Sequence, residues 1–169
     1  MAKQELISAS WSPLEVQLLN TVDIFLYKPA IMKKAEANLT ALKQELIKTL
    51  SQAPPPCPPE SDLVKGQIVR GENHKGFPFI SLDMPQMFSK SEIFTYRTLF
   101  WWGHDLIFSL ILKQENQAPL IEKLIQLKEH PEWKDIQLAI GPTPWEWKKD
   151  TKNFIPLFGT SDLKIKNTI

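Results

Sequence analysis

The first part of the chain carries apolar residues at the helical spacing of three to four positions. Ser12 and Glu15 fit a capping box with Pro13 in the first turn, so a first helix is predicted to begin there. Its apolar positions, predicted to form a buried stripe, are Leu14, Leu18, Leu19, Val22 and Phe25. A second, longer helix is predicted to begin near Pro29. Its predicted core face consists of Met32, Ala35, Leu39, Leu42, Leu46 and Leu50.

After a proline-rich connector at residues 53–60, the apolar pattern changes from helical to alternating. Proline at this density removes backbone donors and keeps the chain extended, so the connector is predicted to join the helices to a sheet. Two strands are predicted at residues 67–70 and 77–84, with a loop at 71–76 between them. Pro85 is predicted to end the second strand.

The clearest strand pattern lies at residues 93–102, where nearly every residue is aromatic or β-branched. A sequence resembling a capping box at residues 89–92 makes a helix the competing interpretation, but the composition favours a strand. An alternating apolar segment follows at residues 105–112. Gly103 and His104, which lie between the two segments, fit a type II′ hairpin turn of two residues.

That turn sets the register of the hairpin and therefore decides which residues share a face. It places Arg97 opposite Leu110 and Leu99 opposite Phe108. The face carrying these residues is apolar except for Arg97, so we predict that it forms the core beneath the helices. The opposite face, which includes Tyr96, is predicted either to be covered by the C-terminal segment or to form the wall of a groove.

The rest of the chain predicts a third helix at residues 116–129, a strand at 136–140 and a frayed polar tail from Gly159. Together these elements predict an α+β fold, with helices packed on one face of an antiparallel four- to five-stranded sheet. The chain is predicted to be a single domain, residues 1–169. Its parts are a helical N-terminal part (1–52), the connector (53–60), a sheet-containing part (61–158) and a tail (159–169).

Composition excludes several classes of partner. The chain has a formal net charge of +1 with charges of both signs evenly spread, so no nucleic-acid partner is expected. The longest apolar run is too short for a bilayer and residues 1–5 carry no apolar signal core, so no membrane partner is expected. The single cysteine, Cys57, excludes an internal disulfide. These features predict a cytoplasmic protein.

No sequence motif indicates a cofactor or a metal. The histidines lack the spacing of a zinc or iron site, and neither a P-loop nor a dinucleotide-binding fingerprint occurs. Cys57 is flanked by prolines, with no neighbouring group that would activate a thiol. We therefore expect no cofactor and no metal, and the catalytic residues of any enzyme activity stay unidentified.

Polar and aromatic residues of the predicted sheet form a candidate site for an anionic or amide-bearing ligand. An arginine would hold such a ligand bidentately while a tryptophan covered it. The ligand-binding candidates are Arg70, Glu72, Asn73, His74, Asp83, Tyr96, Arg97, Trp102 and His104. The alternative, which we favour, is structural: Arg97 beneath the helices needs a carboxylate, and Asp83 on a nearby strand can supply it.

Residues 71–103 resemble an uncharacterised family of small bacterial proteins. The resemblance rests on Gly71-Glu72-Asn73, on Leu82-Asp83-Met84-Pro85 and on the run from Arg97 to Gly103, RTLFWWG. It implies a bacterial protein of unknown function and carries over no activity, cofactor or catalytic residue.

Three functions stay open on the sequence alone. The first is a domain that binds a small molecule or a protein partner through an aromatic-rich sheet face. The second is a small enzyme that acts on an anionic substrate through Arg70, Asp83 and Arg97. The third is an oligomeric structural protein, such as a homodimer, whose exposed face is its own interface.

Overall fold

The fold is α+β, as predicted. A computed structural model describes residues 10–113 and 118–168, so residues 1–5 and the predicted helix start at 116 lie outside it. The helices are α1 (Pro13–Leu19), α2 (Asp23–Gln52), α3 (Ala118–Leu127) and α4 (Asp162–Thr168), with a short 3-10 helix at Pro131–Trp133. The strands are β1 (Gln67–His74), β2 (Phe77–Phe88), β3 (Ile93–Trp101), β4 (Leu106–Lys113), β5 (Gln137–Ala139) and β6 (Phe154–Pro156). Strands β1 to β4 form a four-stranded antiparallel sheet in that order, and β5 pairs with β6 separately.

The helix starts follow the sequence only in part. The Ser12–Glu15 capping box is confirmed, with the Ser12 N–H donating to the Glu15 carboxylate at 2.7 Å. The second helix begins at Asp23, so the predicted start near Pro29 is wrong and Pro29 lies inside α2. Proline removes one donor from a helix, and at this exposed position water can hydrate the carbonyl left without it.

The core face of α2 is confirmed, and it packs on β1 and β2. Residues three or four positions apart share one side of the helix, and every second residue of a strand points to the same side of the sheet. These two sides pack against each other. The buried residues of this core are Met32, Leu39 and Leu50 of α2, with Ile80, Leu82 and Met84 of β2. Ala35, Leu42 and Leu46 pack beside them.

The β3–β4 hairpin is confirmed, but its register differs from the prediction by one residue. Arg97 pairs with Ser109, and not with Leu110. The cause is the turn, which has three residues, 102–104, and is closed by the His104 N–H donating to the Trp101 carbonyl at 3.1 Å. Gly103 occupies the middle of this loop with φ +73°, a conformation that glycine adopts without strain.

The two faces of the sheet are each covered by the element that was predicted for the other face. The helix face, on which α2 packs, carries Ile80, Leu82 and Phe100. The arginine face, on the other side, carries Thr95, Arg97, Leu99 and Trp101. Trp145 and Trp147 contact it, and both belong to the C-terminal segment, residues 134–168. The prediction that α2 covers Arg97 is therefore wrong. Ile80, Leu82 and Met84 of β2 lie on the side opposite Arg97, and their burial against α2 places the helix there.

Strands β1 and β2 are both longer than predicted. β1 continues through the predicted loop to His74, so the turn is only Lys75-Gly76, both with positive φ. β2 continues past Pro85 to Phe88, with a register shift between Asp83 and Gln86. Proline fits in a strand at such an irregularity, because no ladder hydrogen bond is required of its nitrogen there.

The C-terminal segment is more ordered than its sequence predicts. The strand predicted at residues 136–140 forms as β5, but it belongs to the small sheet and not to the main one. Residues Asp162–Thr168 form α4, whose Ile165 is fully buried, so the predicted frayed tail is wrong. In the described ranges no helix has the length and apolar character needed to cross a membrane.

Candidate functional site

Arg97 and Asp83 form a buried, two-point ion pair at the centre of the arginine face. They are cross-strand neighbours on β3 and β2. The Arg97 Nε and Nη2 atoms each donate to one Asp83 oxygen at 2.7 Å, and the side chains are only 9% and 1% exposed. The Thr95 hydroxyl donates to the same carboxylate at 3.4 Å. The predicted structural ion pair is confirmed, and the fork of Arg97 is engaged by Asp83.

Two tryptophans of the C-terminal segment cover the Arg97 guanidinium. Its central carbon lies 4.5 Å from the Trp145 ring centre and 5.9 Å from that of Trp147. A guanidinium over an indole face is attracted by the negative face of the ring. The place that a ligand would take in the predicted site is therefore occupied by the protein's own aromatic side chains.

Beside this pair lies an aromatic cluster of His74, Phe79, Trp101, His104 and Trp147. His74 stacks on Trp147 with ring centres 3.9 Å apart, and His104 stacks on Trp101 at 3.7 Å. The Trp101 indole N–H donates to the His74 carbonyl at 3.3 Å. The cluster joins the ends of both hairpins to the C-terminal segment.

The surroundings of His74 favour its neutral form. Burial lowers the pKa of the imidazole, the nearby Lys75 lowers it further, and Glu146 opposes both. An ion pair with Lys75 in turn lowers the pKa of the Glu146 carboxyl. The His74 Nε2 and Trp147 Nε1 atoms are buried without a hydrogen-bond partner among the described residues. The rings of the cluster contact one another closely, so its main role is to pack the ends of the hairpins against Trp147.

Arg70 and Glu72 lie at a separate place, in a groove of about 510 Å³ between α2 and β1. Lys28 donates to Glu72 at 2.7 Å, and this bond lowers the pKa of the Glu72 carboxyl. Arg70 pairs with Glu36 of α2. Both candidate residues thus tie the helix to the edge of the sheet, and Arg70 is on the opposite face from Arg97.

The remaining candidates are scattered over the hairpins. The Asn73 side chain accepts from the Gly76 N–H at 2.9 Å and so stabilises the β1–β2 turn. Trp102 packs in the core beneath α2, and His104 lies exposed on Trp101. Tyr96 is exposed on the helix face. The structure brings Asp83 to Arg97, and Arg70 near Glu72, but it does not bring the nine candidates to one point.

An exposed apolar patch on β3 and β4 was not predicted. We call it the open strip, and it consists of Tyr96, Leu106, Phe108 and Leu110, which share the helix face and are 39–57% exposed. The predicted register had put the three β4 residues in the core. The sequence did contain a signal for this patch, because β4 is apolar at both its odd and its even positions. The side chains on both faces of the strand therefore need a surface to pack against.

A second exposed apolar surface lies at the N-terminus, in residues 10–27, which we call the N-terminal segment. All of its residues are exposed, so the predicted buried stripe of the first helix is wrong. Its ten large apolar side chains are 46–75% exposed, and they include the consecutive residues Ile24, Phe25, Leu26 and Tyr27. A helix needs a neighbouring surface to bury its stripe, and this segment borders the sheet at Phe25, which lines the groove beside Arg70 and Glu72.

No protein family, curated protein or solved structure matches the chain. The resemblance to a family of small bacterial proteins therefore stays a prediction. Among residues 10–113 and 118–168, no three histidine, cysteine or acidic side chains lie close enough together to hold a metal ion.

Proposed function

We propose that this chain is a partner-binding domain and that the open strip is its contact surface. The observation that carries the proposal is the half-covered helix face, where Tyr96, Leu106, Phe108 and Leu110 lie side by side and exposed. Contiguous exposed apolar side chains of this kind mark interaction sites in proteins.

The dimensions of helix and sheet support this proposal. A helix with its side chains is about 10 Å wide, whereas neighbouring strands lie about 4.8 Å apart, so one helix covers about two strands. α2 packs on β1 and β2. The other half of the helix face has room for one more helix, and that half carries the open strip.

The chemistry of the strip favours a macromolecular partner over a small molecule. Small-molecule sites are concave and place a few polar groups at one point, whereas protein contact surfaces are flatter and rich in aromatic side chains with few charges. The open strip is apolar, with the Tyr96 hydroxyl as its polar group. The enzyme alternative requires Arg70 and Arg97 to act together, and the two lie on opposite faces of the sheet.

A photo-crosslinking amino acid at position 108, in cells that make the full chain, tests the proposal. We expect a discrete adduct that disappears when Leu110→Glu is added, because a carboxylate in the contact would have to be desolvated. The matched control position is Leu163 on α4, which is also an exposed leucine. Equal, diffuse labelling from positions 108 and 163 would show that the strip is not a specific contact surface.

We place this binding in the cytoplasm. The single Cys57 and the mixed surface charge support that location, since a chain with one cysteine gains no disulfide from an oxidising compartment.

A further inference from the structure

Helix α1, in the N-terminal segment, has little stability of its own in water. α1 has seven residues and none of them is buried. Isolated helices shorter than about 12–15 residues are marginal in water, and most helical stability in proteins comes from packing of an apolar face. A surface that covered α1 would supply the packing that this copy alone does not give it.

The same chain exposes a surface of the complementary kind. The segment, which contains α1 and the first turn of α2, is an exposed apolar helical surface, and the open strip is an apolar half of a sheet face without a helix on it. We propose that the partner of the open strip is a second copy of this chain, and that each copy lays its N-terminal segment on the strip of the other. This inference rests on the proposed function of the strip and names its partner.

The direction of α2 makes this exchange geometrically simple. The Lys28–Glu72 ion pair shows that the start of α2 lies at the end of the sheet where the two hairpin turns are. A two-fold axis normal to the sheet at that end places the sheets of two copies end to end. The strand order of the second copy is then reversed, so its β3 and β4 lie in line with β1 and β2 of the first copy. The helix that leaves one copy over β1 and β2 then reaches the other copy over β3 and β4, where the strip lies.

The area of the exchange is set by the open strip. The segment has ten large apolar side chains and the strip has four, and a contact buries about the same area on its two sides. At roughly 60 Å² of apolar surface for each strip side chain, a strip and a segment together bury about 500 Å² per copy. A standard interface buries about 800 Å² per partner, so the dimer is expected to depend on protein concentration.

The charges of the segment favour a protein partner over a membrane surface. Helices that lie on membranes are rich in lysine and arginine, which bind anionic lipid headgroups. Residues 10–27 contain neither, and their charged side chains are the acidic Glu15 and Asp23. The open strip carries no charge, so neither acid would meet a like charge there.

Light scattering of the purified full chain during size-exclusion chromatography tests the pairing. At high protein concentration we expect a mass twice that of one chain. Phe25→Glu on the segment and Phe108→Glu on the strip should each weaken the dimer by about tenfold or more, because each places a carboxylate in the apolar contact. Leu163→Glu is the control and should leave the dimer unchanged. All three side chains are exposed in the single copy, so circular dichroism should show the same folded content in each variant.

Disulfide crosslinking tests the exchange itself. In a Cys57→Ser background, Leu26→Cys and Leu106→Cys proteins are prepared separately, mixed and oxidised, because Leu106 is the strip residue next to the hairpin turn. The expected result is a covalent dimer that needs both proteins and that Phe108→Glu suppresses. An internal disulfide in the doubly substituted chain, at the mass of one copy, would instead show that the segment folds back on its own strip, and it would overturn the inference.

The outcomes separate the two proposals. A chain that stays monomeric at high concentration, while position 108 still gives a discrete adduct with a different protein, would overturn the second-copy inference and leave the binding function standing. A monomer without any specific adduct would overturn both. A dimer that neither Phe25→Glu nor Phe108→Glu weakens would also overturn the inference.

Discussion

At the scale of single residues, the two arginines of the chain have opposite surroundings. Arg97 is buried in a two-point pair with Asp83, whereas Arg70 makes an exposed pair with Glu36. A buried charge that loses its partner keeps the cost of leaving water without the compensating attraction, while an exposed charge is solvated again. The same residue type therefore contributes very differently to stability at the two positions.

Arg97→Leu is expected to lower the free energy of unfolding by about 3–5 kcal/mol, because it leaves the Asp83 carboxylate buried and unpaired. Arg70→Leu is the matched control and should cost less than about 1 kcal/mol. Urea unfolding of both variants measures the difference. Equal losses in the two would contradict the role of the pair in the core.

The ion pair could be predicted from the sequence, and its surroundings could not. A buried arginine requires a carboxylate, and the strand spacing brought Asp83 within reach of Arg97. The cover over the guanidinium comes from Trp145, which is distant in sequence and lies in a segment with no periodic pattern. Nothing in the local sequence of β3 specifies which distant side chain will pack there.

At the scale of elements, the buried side of α2 was predictable and the faces of the β3–β4 hairpin were not. The stripe of α2 fixed its core side, whereas β3 carries large side chains on both faces. In β4 both sides are apolar, so the register depended on the length of one turn. A loop of three residues in place of two moved every β4 side chain to the other face.

Gly71 shows that a glycine can mark a close contact inside a strand. It lies in β1 opposite Phe79, and the Phe79 ring occupies the space where a β-carbon would be. The sequence had suggested a turn for this glycine. Its actual role is to let an aromatic ring cover the backbone of the neighbouring strand.

Gly71→Ala is expected to destabilise the protein by about 1–3 kcal/mol, because the added methyl group forces the Phe79 ring to move. The cost should shrink when Phe79 is first replaced by alanine, which a double-mutant cycle by urea unfolding would measure. An identical cost in both backgrounds would show that backbone conformation, and not the ring, excludes a side chain at this position.

At the scale of the whole molecule, the C-terminal segment closes one face of the sheet and is joined to it through His74. Stacking of His74 on Trp147 links the β1–β2 hairpin to that segment. This joint was not predictable, because it forms between parts of the chain that share no local pattern. Burial lowers the pKa of the imidazole in the folded protein, which favours its neutral form.

The stability of the protein should therefore fall as the pH decreases through the histidine range. Unfolded His74 takes up a proton near pH ~6.5, whereas folded His74 does so only at lower pH, so protonation favours the unfolded state in that window. His74→Phe keeps an aromatic ring on Trp147 and removes the proton. Urea midpoints measured from about pH 8 to about pH 5 should fall more steeply for the original protein than for this variant. Parallel curves would show that His74 titrates normally in the folded state.

The position of β4 at the rim of the sheet has a consequence for how the protein behaves in a cell. Residues 106–112, LIFSLIL, have high β-propensity and contain no charge, proline or glycine. Such a run with unsatisfied backbone groups along one side is the type of sequence that seeds amyloid-like stacking. A newly made chain whose β4 has not yet bound its proposed partner is therefore prone to aggregate. Variants that no longer bind the partner should accumulate in inclusion bodies even when circular dichroism shows that they are still folded.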